Sequence, residues 1–322
     1  MNSDIAAAAA ILRHGGLVGM PTETVYGLAA NALDAQAVLR IFAAKGRPRF
    51  DPLIVHCANL SQARSVAVFS PRAERLAAAC WPGPLTLVLP RQACVPDVVT
   101  AGLDTVAVRV PDHPMALALI HAAGLPLAAP SANRFGRISP TTADAVREQL
   151  GDQIACILDG GPCRVGVEST VLRPDPTPIV LRPGGITRDQ LATILDEPVE
   201  LADSAARSDA LPREAPGLLA SHYAPIAPVE LLAARAAWPT QPNVGLLAFT
   251  GATLPHGAGP SAILSPTGNL TQAAANLFAC LRQLDALRPI RIVAELVPDS
   301  GLGEAINDRL RRGTLLSRES GV

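Results

Sequence analysis

The feature that most constrains this chain is an alternation running through its first two hundred residues. Short apolar runs closed by Gly or Pro alternate with stretches of helical period. "GLVGM" (16–20), "PLIVHC" (52–57), "PLTLVLP" (84–90) and "TVAVRV" (105–110) read as strands, as do "PLAAP" (126–130), "IACILDG" (154–160), "ESTVLR" (168–173) and "PIVLR" (178–182). Helix starts are legible between them. Asp34 precedes "AQAVLRIFAAK", Ser70-Pro71 precedes "RAERLAAAC", and Thr141-Thr142 precedes "ADAVREQL". Such an order predicts one α/β domain with a mixed sheet.

From about 198 to 227 the alternation stops in a stretch rich in Ala, Ser, Pro and charge, which reads as a linker. Beyond it "PVELL", "NVGLLAF" and "IRIVAEL" read as strands, with helices near 269–286 and 302–312. That predicts a second, smaller α/β domain.

Bulk composition excludes several classes. With 49% hydrophobic and 17% charged residues in 322, the chain is not disordered. A net charge of -1 and a pI near 6.6 argue against a broad nucleic-acid-binding surface. The six cysteines show no C-x-x-C pair and read as reduced thiols of a cytoplasmic protein. "MNSDIAAAAAILRHGG" has an acid before its apolar run and Arg13 after it, so an alanine-rich helix capped near Ser3 or Asp4 is expected there, not a signal peptide. No apolar run approaches the roughly 20 residues a membrane span needs.

The common catalytic signatures are missing. There is no G-x-x-x-x-G-K-[ST] loop, no H-E-x-x-H, no G-x-S-x-G elbow and no histidine spacing suited to a metal. "GLGEAI" (301–306) lacks the third Gly of a dinucleotide fingerprint and reads as a helix entry.

What remains is four polar loops at strand ends, where open α/β sheets bind ligands. The most unusual holds Lys45, the one lysine beside 26 arginines (Lys+Arg total 27). Lys45, Arg47 and Arg49 fall within five residues, with Gly46 and Pro48 setting a non-helical path. Three cations so close repel unless an anion sits between them, and a point charge beside planar forks suits a polyphosphate. A solvated helix C-terminus is the competing account. "PTETVYGLAAN" (21–31) offers hydroxyls and one carboxylate, Glu23, or else a capped helix start with a buried tyrosine. In "APSANRFGRISPTT" (129–142), Ser131, Asn133 and Ser139 suit a phosphate or ribose, or ordinary turn chemistry. In the fourth loop, "GPCRVGVESTV" with "VLRPGGIT", Ser169 and Arg182 share a pocket if their strands are adjacent.

Taken together, "PTETVYGL", "KGRPxxxPL", "PSANxxGxxSPT", "GxESTV" and "LRPG", followed by a "PG…SHYAP" linker, resemble the L-threonylcarbamoyladenylate synthase family in its two-domain form. The resemblance covers nearly the whole chain. It implies a YrdC-like twisted mixed sheet with a concave active site over 1–198, a linker or lid over 199–227, and a smaller Rossmann-like α/β domain over 228–322. The implied reaction combines L-threonine, bicarbonate and ATP into threonylcarbamoyl-AMP and pyrophosphate, the first step of tRNA threonylcarbamoyladenosine modification.

By the same resemblance, Lys45, Arg47, Ser131 and Asn133 form the polar cluster on phosphates and carbamate. Thr24, His56, Arg109, Ala129 and Ser169 hold threonine, with Arg109 on its carboxylate. Arg47, Asp51, Thr105, Ser131, Ser139, Arg182, His222 and Tyr223 serve ATP. Mg2+ is held mainly by substrate oxygens, and no side chain is assigned to metal. The expected partners are these small molecules and a downstream threonylcarbamoyl-transfer enzyme acting on tRNA, with weak or no direct tRNA binding and no membrane.

The chain departs from the family at Asp51, where relatives usually carry Asn before "PL". An acid beside a triphosphate needs magnesium or Arg49 to offset it. Other readings are an RNA- or nucleotide-binding module without turnover and a carbamoyltransferase. The acidic pI and 3% aromatics weigh against RNA, and a need for carbamoyl phosphate in place of threonine would mark the transferase.

Overall fold

The computed structural model describes residues 2–202, 222–233, 236–252, 254–255 and 257–319. Ten strands form the larger sheet: β1 (Val18–Met20), β2 (Gly27–Asn31), β3 (Ile54–His56), β4 (Leu85–Pro90), β5 (Thr105–Arg109), β6 (Leu127–Ala128), β7 (Cys156–Ile157), β8 (Thr170–Arg173), β9 (Ile179–Arg182) and β10 (Glu200–Leu201). Their order is β10-β9-β8-β4-β5-β3-β6-β2-β1-β7, with parallel and antiparallel neighbours mixed. The smaller sheet holds β11 (Val229–Leu231), β12 (Val244–Ala248), β13 (Ser261–Ile263) and β14 (Arg291–Ala294), all parallel in the order β11-β14-β12-β13.

The first part carries helices α1 (Asn2–Arg13), α2 (Ala35–Lys45), α3 (Leu60–Arg64), α4 (Pro71–Cys80), α5 (Asp97–Thr100), α6 (Pro114–Ala123), α7 (Ala143–Leu150) and α8 (Arg188–Leu195). The second carries α9 (Leu270–Ala286) and α10 (Leu302–Glu319). The caps fall where the sequence puts them: Asp34 accepts from Gln36 N and Ala37 N, Ser70 from Ala73 N, and Thr142 from Ala145 N. Helix α1 begins at Asn2, ahead of the expected caps at Ser3 or Asp4.

Alternation along the strands decides what each face of the large sheet does. Val55, Leu87, Val108, Leu172 and Val180 face one large apolar cluster that takes in α2 and α4. Their neighbours Ile54, Val88, Ala107, Val171 and Leu181 form a small cluster on the opposite face. That second face carries the pocket.

Two local expectations are corrected. Residues Gly27–Asn31 are a strand, because Gly27 and Leu28 exchange pairing with Met20 and Gly19 of β1. The helix start weighed for this stretch does not form, although Tyr26 is buried. Glu200–Leu201, at the start of the expected linker, pair in parallel with β9. Most of the expected lid, 203–221, lies outside the described residues.

The two sheets are joined through one apolar cluster. Val25, Ile138 and Val167 pack with Tyr223, Leu277, Phe278 and Ala305. Polar ties cross the same seam: Arg282 Nη2 donates to the Ile138 carbonyl at 2.7 Å, and Arg188 pairs with Glu304 at 2.8 Å.

Candidate active site

The pocket lies over the carboxyl ends of β3 and β5, which run in parallel with His56 opposite Arg109. Its wall is drawn from segments far apart in sequence: Thr22, Thr24, Val25 and Gly27; Arg47; Ile54 and His56; Arg109; Ala129, Pro130 and Ser131; Glu168 and Ser169; Arg182; His222 and Tyr223.

The loop after β6 is zipped against β2. Leu28 N donates to the Pro130 carbonyl at 2.7 Å, Ala132 N to the Tyr26 carbonyl at 2.8 Å, and Gly27 bridges Ser131. A Cβ on Gly27 would stand 3.1 Å from the Ala129 methyl, so glycine permits this close approach.

Arg109 is held from three sides. Its Nη2 pairs with Glu23 at 2.6 Å, its Nη1 donates to Thr24 Oγ1 at 2.9 Å, and its Nε donates to the Gly83 carbonyl at 3.2 Å. Such a buried guanidinium is rigid, and its planar fork is suited to a substrate carboxylate. Beside it His56 is fully buried. Burial, and then the charge on Arg109, pull its pKa down to about 3, so at neutral pH it is an uncharged imidazole.

The expected adjacency of Ser169 and Arg182 holds, since β8 and β9 are antiparallel neighbours. Arg182 Nη2 donates to the Ser169 carbonyl at 2.9 Å and to Ser169 Oγ at 3.3 Å. Ser169 Oγ also shares a hydrogen with Thr86 Oγ1 at 2.8 Å. The "RPGG" turn presses directly on this segment: a Cβ on Gly184 would lie 2.4 Å from backbone atoms of Glu168, Ser169 and Thr170.

Lys45 closes the helix read from "AQAVLRIFAAK", one residue ahead of the loop with which the sequence grouped it. It is the last residue of α2, on the buried stripe with Val38, Ile41 and Phe42, and the left-handed Gly46 ends the helix just after it. Its Nζ donates to the carbonyls of Ser131 and Asn133 from behind the pocket wall. Burial, then the neighbouring charge of Arg47, lower its pKa well below the ordinary lysine value, with Asp51 opposing. The helix-terminus account of this stretch is right in place and wrong in environment, because the cation is buried.

Asp51 is also placed behind the wall. Its Oδ2 pairs with Arg47 Nη2 at 2.9 Å, and Arg47 reaches the Asp51 and Pro52 carbonyls as well. Arg47 is thus a cation that offsets this acid, and Arg49 is exposed. Asn133 is buried behind Ser131, its Nδ2 donating to the carbonyls of Arg134 and Arg137. Ser139 reaches the pocket through Glu168, donating to Oε1 at 2.5 Å. Thr105 stands at the far end of β5, outside the pocket, on the same strand face as Ala107 and Arg109.

His222 and Tyr223 close the wall from the other side. Tyr223 has φ 68°, stacks on Phe278 with ring centroids 5.7 Å apart, and lies 4.2 Å from the His222 ring. Burial, and then Arg47, Lys45, Arg182 and Arg312, hold the His222 pKa well below the usual histidine value. A neutral imidazole ringed by cations marks a region built to receive an anion.

Sequence reading passed over three groups. Glu23 was noted as a carboxylate but not as the partner of Arg109. Glu168 was hidden inside a strand motif. Arg309 belongs to a helix in which no site was visible, yet its Nε donates to Glu168 Oε2 at 2.9 Å. Among the described residues, no group of three or more His, Cys, Asp or Glu side chains is arranged to hold a metal ion.

This geometry can be set beside known proteins. Residues 10–184 match the Sua5/YciO/YrdC family described as "Telomere recombination", and residues 186–314 match "Threonylcarbamoyl-AMP synthase, C-terminal domain". The Bacillus subtilis threonylcarbamoyl-AMP synthase is 44% identical over 96% of this chain and 92% of its own length. The Pyrococcus abyssi threonylcarbamoyl-AMP synthase is 42% identical over 95% of this chain and 93% of its own. A solved structure, P. abyssi Sua5 complexed with L-threonine, superposes with a TM-score of 0.87 at 41% identity, covering 96% of this chain and 94% of that one. With both family matches in register over nearly its whole length, the chain belongs to the two-domain threonylcarbamoyl-AMP synthase family.

Proposed function

We propose that this chain makes L-threonylcarbamoyl-AMP from L-threonine, bicarbonate and ATP, the nucleotide arriving as its magnesium complex with the metal on phosphate oxygens. The observation that carries this reading is the gathering of Arg47, Arg109, Arg182, Ser131 and Ser169 round one pocket that also holds two neutral imidazoles. Threonine's carboxylate sits on Arg109, steadied by Glu23 and Thr24, while His56, the Ala129 backbone and Ser169 enclose the rest of the amino acid.

Bicarbonate takes up a proton and loses water to give CO2. The neutral amine of threonine adds to it and releases a proton to solvent, and an oxygen of the resulting carbamate attacks the α-phosphorus of ATP. The α–β phosphoanhydride bond then breaks and pyrophosphate leaves. Negative charge collects on the phosphate oxygens through this step, and Arg47 and Arg182 offset it. The protein's work is positioning and charge neutralisation, with no nucleophile of its own.

Lys45 and Asn133 serve this step from behind the wall by fixing the Ser131 loop. A phosphate docked at that loop favours the protonated form of Lys45, which burial alone disfavours. Asp51 acts by fixing Arg47, and Ser139 by fixing Glu168. Thr105 extends the nucleotide-facing strip along β5, and His222 and Tyr223 cover the phosphates. The division at 1–198, 199–227 and 228–322 belongs to the same proposal, with the middle segment as a lid that shields a hydrolysable adenylate.

No described helix is long and apolar enough to cross a membrane. We place the protein in the cytoplasm, with weak or no tRNA binding of its own, passing its product to a threonylcarbamoyl-transfer enzyme. The test is pyrophosphate release from magnesium ATP, omitting L-threonine or bicarbonate in turn. Release that needs both, with an AMP-linked product by mass spectrometry, is the expected outcome; release indifferent to threonine would sink the assignment.

A further inference from the structure

We infer that Arg309, on the last helix, is a positioning residue for the threonine half of the active site, acting through Glu168. The inference rests on the synthase reading above. Arg309 is wholly buried; its Nη1 pairs with Asp308 on the same helix at 2.9 Å, and its guanidinium also meets three partners from outside the smaller sheet. Its Nε donates to Glu168 Oε2 at 2.9 Å, its Nη1 donates to the Pro183 carbonyl at 2.7 Å, and its carbon lies 5.2 Å from the centre of the Tyr223 ring.

Each partner is part of the pocket wall or bonded to it in sequence. Glu168 and Tyr223 line the pocket, and Pro183 directly follows the pocket residue Arg182. One planar fork therefore ties together the entry to β8, the exit from β9 and the residue that closes the far side. Arginine suits this because its donors are preorganised in a plane that also stacks on an aromatic face.

Glu168 passes the constraint inward. Its second oxygen accepts from Ser139, and its peptide carbonyl accepts from Gly185 N at 3.2 Å, so neither side chain nor backbone is free to turn. Ser169 comes next in the chain, with its hydroxyl already committed to Thr86 and Arg182. Among the described residues of the wall Glu168 is the one carboxylate, set two strands from Arg109 because β4 lies between β8 and β5. The constraint reaches the amino acid through Ser169, which the synthase reading places beside threonine. The C-terminal domain, through Arg309, thus keeps one end of the amino-acid site in place.

The test uses the full chain with Arg309→Leu, Arg309→Lys, Glu168→Gln and the Leu/Gln double variant. Pyrophosphate release is measured against L-threonine at saturating ATP, and against ATP at saturating threonine. Arg309→Leu is expected to lower kcat/KM for threonine by about tenfold, the scale of one hydrogen bond to a charged group, with a smaller rise in KM for ATP because Tyr223 and the residue after Arg182 also lose a contact. Arg309→Lys should recover most of the loss, and the double variant should be no worse than the poorer single one.

Unchanged threonine parameters in Arg309→Leu would overturn the inference. So would equal losses on both substrates with no recovery in Arg309→Lys, the signature of a merely structural contact. If Arg309→Leu fails to fold, the Lys and Gln variants decide it: threonine parameters unchanged in both count against the inference, and a loss confined to threonine in Glu168→Gln upholds it. Wild-type release that ignores threonine would overturn the synthase reading and this inference together, whereas a threonine-dependent wild type with an unaffected variant overturns the inference alone.

Discussion

The two sheets bury very different things. The carboxyl ends of β3 and β5 and the loops around them bury Glu23, Lys45, Arg47, Asp51, His56, Arg109, Glu168 and Arg182, all at or behind one pocket. Around the smaller sheet the buried polar groups among the described residues are Ser265, Asn307, Arg309 and Arg312, and both arginines stand on α10. The rest of that interior, among the described residues, is apolar: Leu, Val, Ala, Ile and Phe with Trp238 and Tyr223. Burying a charge costs several kcal/mol unless a partner offsets it, so its concentration in one place signals function over stability. The smaller domain is the ordinary core, and its buried Arg309, paired with Glu168 across the seam, belongs by its contacts to the other domain's site.

That contrast can be broken by experiment. The largest effect is expected from Arg109→Leu, which strands buried Glu23 without its cation. It should cost roughly 3–5 kcal/mol in urea unfolding and abolish threonine-dependent pyrophosphate release. A variant that unfolds like wild type would mean Glu23 is not held as an ion. In the smaller sheet, Leu247→Ala empties part of an apolar core and should cost about 2–5 kcal/mol. Below its unfolding transition it should keep its affinity for threonine. An affinity that falls in proportion to stability would erase the distinction between the two regions.

The effect that is smallest near neutral pH, and grows only as pH falls, comes from His56. The folded-state pKa of His56, about 3, lies below its ordinary 6.5, so between these values the unfolded chain binds a proton that the folded one refuses. Its contribution to stability is whole above pH 6.5 and declines as pH falls toward 3, at about 1.4 kcal/mol per pH unit. His56→Gln should flatten the acid side of the stability profile by that slope. Equal slopes in the two proteins would show that His56 is protonated in place.

Much of the fold could be read from the chain because the relevant physics is local. Short apolar runs between Gly and Pro mark strands, and Asp34, Ser70 and Thr142 mark helix starts by bonding backbone N–H groups two or three residues on. The four polar loops could be read for the same reason, being turn chemistry at strand ends. What failed to show were features whose meaning depends on a distant partner. Gly27–Asn31 looks like a helix start until β1 lies beside it. Lys45 looks like a loop cation until the stripe Val38, Ile41, Phe42 is seen to point it inward. Asp51 looks like a misplaced acid until Arg47 folds back on it.

By itself, then, the sequence determined the class of fold, the two-domain order and the set of loops that carry chemistry, since each follows from periodicity, caps and turns within a few residues. Only the tertiary structure decided which charges meet. Glu23 with Arg109, and Arg309 with Glu168, are 86 and 141 residues apart in the chain. An ion pair becomes legible only when packing brings both charges out of water to the same place, and no local pattern records that.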